Sequence, residues 1–376
     1  MELRRWREYN WPLLVCVSVL LVISALAVYS ATLTAVTVNG IALSGVYPGH
    51  LVNIALGLAV MVAVTRFDYQ LLSSLARPLY LGAAALLVLV LAIGRISEGA
   101  QSWFVLGART FQPSEIAKLT LIIALAAYWQ RFESQASTWR IQLGSLALAL
   151  VPALLVIVQP DLGSAIVIGA IWLVMAWGAG IKPSQLIPLL LVAAVGLYGA
   201  WNSDAIFDDY QRRRLLTFYY LLTDPARVNF NDGYNVIQAL SAISQGGWFG
   251  AGLTRGLFSQ GNYVPVQHTD FIFAVIGEEM GFLGGVVLIT FQALLLWQSL
   301  SIAAQARDSF GRLMALGVFA LLFCHVVINL GMNLSLLPVT GLPLPFVSQG
   351  GSFMIIVLAA VGLLQSIALR RRRLSF

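Results

Sequence analysis

The stretch VQHTDFIFAVIGEEMG at residues 266–281 sets three carboxylates, Asp270, Glu278 and Glu279, in and around an apolar run. A carboxylate can take a proton from a hydroxyl, hold a cation or cap a helix, and its surroundings decide which. Glu278 lies eight residues beyond Asp270, about 12 Å along a helix at ~1.5 Å per residue. Asp270 is therefore expected at the mouth of a span, as a base or, more plainly, as an N-cap ahead of FIFAVIG. Glu278 and Glu279 are expected deeper, where ionisable groups face a cavity or a partner. Pairing with basic groups, so as to organise a cavity floor, is the reading they are given.

Other residues with chemistry gather at the starts or ends of apolar runs. FQPSEIAKL at 111–119 places Glu115 and Lys118 three apart, on one helical face and able to pair. The pair is read either as structural or as a device that offers Lys118 to an anion. VQPDLGSA at 158–165 puts Asp161 in a short turn, where a carboxylate between Pro and Gly needs no further role. Arg212, Arg213 and Arg214 follow DDYQ in a charged and aromatic stretch. They are either the wet face of an amphipathic helix or a seat for a phosphate-bearing lipid head group. LPVTGLPLPFVSQGGS at 337–352 is uncharged and dense in Pro and Gly, a composition that exposes backbone amides to close approach. No nucleotide-phosphate loop of the Walker type occurs, so nothing points to ATP-driven pumping.

The elements that must position these groups follow from composition. The chain has 376 residues, is 59% hydrophobic and only 10% charged, with a mean hydropathy of +0.85. Runs of about 18 or more apolar residues read as membrane-spanning helices. Ten are expected, near 11–31, 49–66, 78–94, 113–130, 142–158, 164–180, 185–201, 271–297, 313–336 and 351–369. Uniform runs without period-two alternation argue against a barrel, so the fold class is all-α and polytopic. The first run is too long for a signal peptide and lacks a small-residue cleavage site, and is read as retained.

With the N-terminus cytoplasmic, ten spans return the C-terminus to the cytoplasm. Fourteen Arg and Lys, including Arg4, Arg5, Arg7 and Arg370–Arg373, then fall inside, while the short outer loops hold only Arg95 and Arg109. The positive-inside rule favours that topology. The basic balance, pI near 9.5, is thus mostly anchoring to cytoplasmic membrane lipids and implies no nucleic acid. The cysteines, Cys16 and Cys324, both lie in apolar runs, which excludes a disulfide framework or zinc site. His50, His268 and His325 show no metal-ligand spacing. No internal repeat stands out, so residues 1–376 are read as one membrane domain, with a large outer loop at about 202–269.

HTDFIFAVIGEEMG, VQPDLGSA, FQPSEIAK and MNLSLLPVTGLPLPFVSQGGS, together with the ten spans and the large loop, resemble the SEDS family of bacterial cell-wall polymerases, the RodA/FtsW-like proteins. The resemblance covers nearly the whole chain. It implies a peptidoglycan glycosyltransferase that polymerises lipid II at the outer face of the bacterial cytoplasmic membrane, beside a class B penicillin-binding protein that crosslinks the strands. It carries the family's essential aspartate onto Asp270, its glutamate and lysine onto Glu115 and Lys118, its loop tryptophan onto Trp103, and its arginines onto Arg212 and Arg214. The substrate-contacting set implied around these motifs also takes in Arg109, His268 and Ser348. Two departures stand out: Pro265, Val266 and Gln267 where Pro-Glu is usual, and Ser348, Gln349, Gly350, Gly351 and Ser352 where SYGGS is usual. The short N-terminus and DYQRRR are closer to RodA-like than to FtsW-like members, which favours cell elongation over division.

The chemistry that the resemblance implies is spare. Joining the anomeric carbon of one lipid-linked sugar to the 4-hydroxyl of another needs a base, here Asp270. Diphosphate leaves readily once its charge is neutralised, which Lys118 with Arg212 or Arg214 could do. A divalent cation, Mg or Mn, could assist; no organic cofactor is expected. An α-linked donor giving a β-linked product implies inversion. Two rivals remain at this stage, a flippase for lipid-linked sugars and a scaffold for the elongation or division machinery.

Overall fold

The computed structural model describes residues 9–34, 37–38, 41–42, 45–97, 100–106, 109–202, 209–224, 227–228 and 230–371. Arg4, Arg5, Arg7, Arg372 and Arg373, which the topology argument uses, lie outside the described residues, as does the side chain of Arg109.

Ten helices coincide with the ten expected spans: α1 (Trp11–Leu33), α2 (Val46–Arg66), α3 (Leu71–Ile93), α4 (Pro113–Arg131), α5 (Trp139–Val158), α6 (Leu162–Ala179), α7 (Pro183–Trp201), α11 (Ile272–Gln305), α12 (Ser309–Asn333) and α13 (Gly351–Leu369). Eight are long and apolar enough to cross a bilayer; α4 and α7 are the exceptions. α4 carries Glu115, Lys118 and Arg131, and α7 has a shorter apolar stretch, Pro183–Gly196. Local chemistry starts several of them. Asn10, Asp161 and Asp308 accept the amides of Leu13, Ser164 and Gly311 at 3.1, 2.9 and 2.7 Å, the side-chain cap that first-turn donors require. The protein is a multi-pass integral membrane protein, with α12 and α13 largely buried and the outer helices presenting Leu, Val and Phe outward, as lipid contact demands.

The 202–269 loop contains three further helices, α8 (Asp209–Thr223), α9 (Phe230–Gln245) and the single turn α10 (Leu257–Gln260). Among the described residues there are also two small antiparallel sheets: β1 (Thr37–Val38) with β2 (Ile41–Ala42), and β3 (Arg95–Ser97), β4 (Ala100–Leu106) and β5 (Arg109–Phe111) in that order. They are the non-helical exception to the all-α expectation.

α11 runs eight residues past its expected end and is broken near its start. Gly281 adopts φ 68°, ψ −165°, inside the helix. The break strands main-chain groups that lipid would leave unpaired at several kcal/mol each. A glycine-rich loop fills it. Phe282 and Leu283 donate to the carbonyls of Gly247 and Trp248 at 2.8 and 3.2 Å, and the carbonyls of Glu278 and Glu279 accept from Ala251 and Gly252 at 2.9 and 3.0 Å. Gly250, at φ 81°, lies so close to Gly281 and Glu279 that a Cβ on either glycine would strike main chain.

The two ends of the bundle differ. At one end Tyr69 and Gln70 donate to Asp308 at 2.8 and 2.9 Å, Arg370 pairs with Asp68 at 3.4 Å, and Ser309 donates to Glu133 at 2.9 Å. At the other end lie the start of α11 and the loop from 334 to 350, where many ties run from a side chain to main chain.

Candidate active site

Asp270 sits in the turn that feeds α11. It is half-buried, and its amide donates to Val266 O at 3.2 Å. The N-cap reading is corrected: the cap position is Phe271, with no side-chain cap bond. The Asp270 carbonyl is held firmly. Asn329 Nδ2 and Asn333 Nδ2 each donate to it at 3.0 Å, and Ser348 Oγ donates to the adjoining Thr269 O at 2.5 Å. The turn is strained, since Val266 has φ 51°, an outlying conformation for a β-branched residue. Gly341, at φ 73°, flanks the carboxylate, because a Cβ built there would lie 3.4 Å from Asp270 Oδ2.

Three residues of α12 account for much of this geometry. His325, Asn329 and Asn333 recur every four residues and so share one helix face. Asn329 donates to Leu342 O at 2.8 Å as well as to Asp270, and His325 Nδ1 lies 3.1 Å from Pro343 O. One stripe therefore holds both the main chain of Asp270 and the loop beside its carboxylate. Sequence reasoning missed all three, although CHVVINLGMN carries the signal: polar residues at helical spacing in an apolar run.

Glu115 and Lys118 form the expected ion pair, 2.7 Å apart, with both side chains buried. Lys118 is 0% exposed, and its Nζ also lies 3.1 Å from His325 Nε2. The ammonium thus points at protein acceptors, and its expected place on a substrate anion is not what the structure shows. Removing one partner of such a buried pair costs about 3–5 kcal/mol. Asp161 has more to do than fill a turn: besides capping α6 it accepts Gln112 Nε2 at 3.0 Å, tying α6 to the start of α4. The Gln112 amide donates to Ser352 Oγ at 3.1 Å.

Glu278 and Glu279 are 1% and 2% exposed, and no ion pair with a basic group is seen for either among the described residues. Glu278 accepts the Phe258 and Ser259 amides at 2.6 and 2.8 Å, so it holds the start of α10. Glu279 accepts Ser30 Oγ, Ser259 Oγ and Gln260 Nε2 at 2.7, 3.0 and 3.0 Å, and the Thr254 amide at 3.2 Å. Both carboxylates position the 254–260 segment. Gln267 Nε2 adds donations to Ala31 O and Ser259 O, each at 2.9 Å.

Ser348 is corrected from a substrate contact to a brace, since it is fully buried and also accepts the Leu344 amide at 2.8 Å. His268 is half-buried; its carbonyl accepts the Gln349 amide at 2.9 Å, and burial pushes its imidazole below the ordinary value. Trp103, half-buried, lies on β4 opposite Arg95. Arg213 and Arg214 line a cleft of ≈ 150 Å³ walled by Thr217, Phe218, Asn235 and the 335–339 segment, and Arg214 Nη1 reaches Val339 O at 3.4 Å. Arg212, expected beside Arg214, does not line it. Val339 is two residues from Gly341, so the cationic cleft adjoins Asp270 along one stretch of chain.

Such an arrangement can bring a carboxylate of fixed position beside a basic cleft at one end of a lipid-facing bundle. Comparisons with known proteins place the chain in a family. The family profile FTSW_RODA_SPOVE, described as "Cell cycle protein", matches residues 9–373. Peptidoglycan glycosyltransferase MrdB of Escherichia coli (strain K12) is 38% identical over 358 residues, covering 95% of this chain and 94% of that one. A probable peptidoglycan glycosyltransferase FtsW of Geobacter metallireducens is 34% identical over 320 residues, 84% of this chain and 83% of its own. Among solved structures, a chain from a peptidoglycan synthase complex that coordinates polymerization and crosslinking superposes with a TM-score of 0.80 at 33% identity, covering 97% of this chain and 99% of that one. The rod shape determining protein RodA of Thermus thermophilus superposes with a TM-score of 0.70 at 30% identity, covering 97% and 98%. On the profile match over nearly its full length, the chain belongs to the FtsW/RodA/SpoVE family.

Proposed function

We propose that this protein is a peptidoglycan glycosyltransferase that polymerises lipid II, with Asp270 as its base. The observation that carries the assignment is the support given to one residue. The main chain of Asp270 is gripped by Asn329 and Asn333, its neighbour Thr269 by Ser348, and its carboxylate lies beside Gly341. In the reaction the carboxylate takes the proton of the acceptor sugar's 4-hydroxyl as that oxygen bonds to the donor's anomeric carbon. The bond from that carbon to the diphosphate breaks, and the lipid diphosphate leaves with the electron pair, inverting the centre. Arg213 and Arg214 in the adjoining cleft are placed to neutralise the departing charge. Arg109, Trp103 and His268 are assigned to substrate contact at the same end.

No group of three His, Cys, Asp or Glu among the described residues could cage a metal ion. A divalent ion such as Mg²⁺ or Mn²⁺ would be held by substrate phosphates and the Asp270 carboxylate, and when bound would neutralise diphosphate charge.

Ten spans with the Asp270 end outward are the arrangement we assign. Arg66, Arg131, Arg140, Lys182, Arg307 and Arg370 gather at the opposite end, which the positive-inside rule makes cytoplasmic. Sugars of a lipid-anchored substrate then meet Asp270 where membrane gives way to water. The 38% identity to MrdB over 95% of the chain favours an elongation-type role, and the likeness to a synthase complex supports a class B penicillin-binding protein as partner.

The test is polymerisation of lipid II by purified protein in detergent, wild type beside Asp270→Asn, with and without the partner. Glycan from the wild type and a loss of about 10²–10⁴-fold in the variant are expected. Detergent offers no second compartment, so a flippase would give no polymer, and a folded Asp270→Asn protein with undiminished rate would overturn the base assignment.

A further inference from the structure

Lys118 and Asp270 belong to different elements, and nothing in the polymerase chemistry explains why a fully buried ammonium should contact a fully buried imidazole. His325 Nε2 is 3.1 Å from Lys118 Nζ, while Nδ1 is 3.1 Å from Pro343 O. A main-chain carbonyl can only accept, so Nδ1 carries a proton. An ammonium has no lone pair, so Nε2 must accept from it. Both contacts are satisfied by one species alone, the neutral ring protonated on Nδ1.

The ring's third contact closes off rotation, because it stacks on Phe353 with centroids 4.7 Å apart and planes at 28°. Its two hydrogen bonds leave from opposite edges, one to α4 and one to the loop carrying Gly341. One helical turn on, Asn329 holds the adjoining carbonyl, Leu342 O, together with Asp270 O. The loop wall beside the carboxylate and the main chain beneath it are thus fixed by one face of α12, and His325 joins Glu115–Lys118 to that face.

We infer that His325 is a positioning residue for the polymerase reaction: as the Nδ1–H tautomer it links the Glu115–Lys118 pair to the 341–343 loop and so sets the wall against which Asp270 works. This rests on the polymerase reading above. On this account Lys118 acts through His325 on the loop, and its charge supports the site from behind.

The experiment compares lipid II polymerisation by the full-length wild type with His325→Phe, His325→Gln and Lys118→Met. Phe keeps the ring against Phe353 but neither donates nor accepts, whereas Gln restores one donor and one acceptor. His325→Phe is expected to lower kcat by about 100-fold through misplacement of the wall. KM for lipid II should stay within about twofold of wild type. His325→Gln should recover part of the loss, and His325→Phe combined with Lys118→Met should be no worse than Lys118→Met alone. Unchanged kcat, a loss carried by KM, or losses that multiply would each overturn the link. Side-chain ¹⁵N spectra of the wild type give a readout that needs neither turnover nor a stable variant. A neutral ring with hydrogen on Nδ1 is expected, and an Nε2–H or doubly protonated ring overturns the proposal. A wild type that makes no glycan counts against the polymerase reading, while the spectrum still decides the state of His325.

Discussion

Asp270 on one side and Glu278 with Glu279 on the other come from a single stretch of chain, yet the protein treats them in different ways. The two glutamates are buried and their carboxylate oxygens accept amides, hydroxyls and a side-chain amide. Their charge is consumed in holding α10 and the 254–260 segment, next to a helix break that the 246–252 loop fills. Asp270 is held through its carbonyl and through Thr269, and its half-buried carboxylate faces Gly341. Glu278 and Glu279 serve structure, and their oxygens anchor a neighbouring segment; Asp270 has its main chain gripped as well, which fixes the position of a half-buried carboxylate. A membrane interior makes the first treatment obligatory, since an unsatisfied charge there is costly.

The contrast predicts a separation of effects. The largest is in activity: Asp270→Asn should lose about 10²–10⁴-fold in polymerisation while its melting temperature in detergent stays near that of wild type. Glu278→Ala should do the reverse. It orphans the Phe258 and Ser259 amides at about 1–3 kcal/mol each, so thermal stability should fall markedly, and residual activity should track the folded fraction. A Glu278→Ala protein that melts like wild type but makes no glycan would erase the distinction. Asn333→Leu tests the middle ground, because it removes one donor from Asp270 O while Asn329 retains the other. A loss of about 1 kcal/mol and a drop in kcat smaller than that of Asp270→Asn are expected, measured by melting and initial rates.

The smallest effect concerns the far end. Burial alone would raise the Asp308 carboxyl, but the Gly311 amide and the bonds from Gln70 and Tyr69 outweigh it, so it titrates below the ordinary 3.8. A depressed folded value means that the stabilisation is present above the unfolded pKa and is lost as pH falls through the folded one. Asp308→Ala should therefore cost about 1 kcal/mol of cap stability at neutral pH. Melting curves of variant and wild type should converge as pH drops below 3.8.

Much of the scaffold was legible because long apolar runs leave few options in lipid: each of the ten expected runs is a helix. Asp161 and Asp308 show caps that side-chain type and position announce. The break in α11 was not legible, since IGEEMGFLGG continues a helical pattern through Gly281. Its cause is a loop some thirty residues upstream whose amides and carbonyls fit the gap. Glu278 and Glu279 were given basic partners because charge invites opposite charge, yet the partners are main-chain amides and, for Glu279, also neutral side chains of Ser30, Ser259 and Gln260, brought there by folding and not by sequence spacing. Ser348 carried the signature of an exposed loop and is a buried brace for the same reason.

What the sequence determined by itself is the kind of solvent this chain requires, the helices that follow from it, the family, and the residue types gathered near the starts and ends of the apolar runs. Those depend on transfer of side chains into lipid and on short-range spacing, both written in one dimension. Only the tertiary structure decided that Glu278 and Glu279 would anchor the 254–260 segment, that Asn329 and Asn333 would grip the main chain of Asp270, and that His325 would hold the loop beside it. The reason is that backbone donors and acceptors are the same at every residue, so their pairing across the bundle depends on where the chain has been folded rather than on what it is made of.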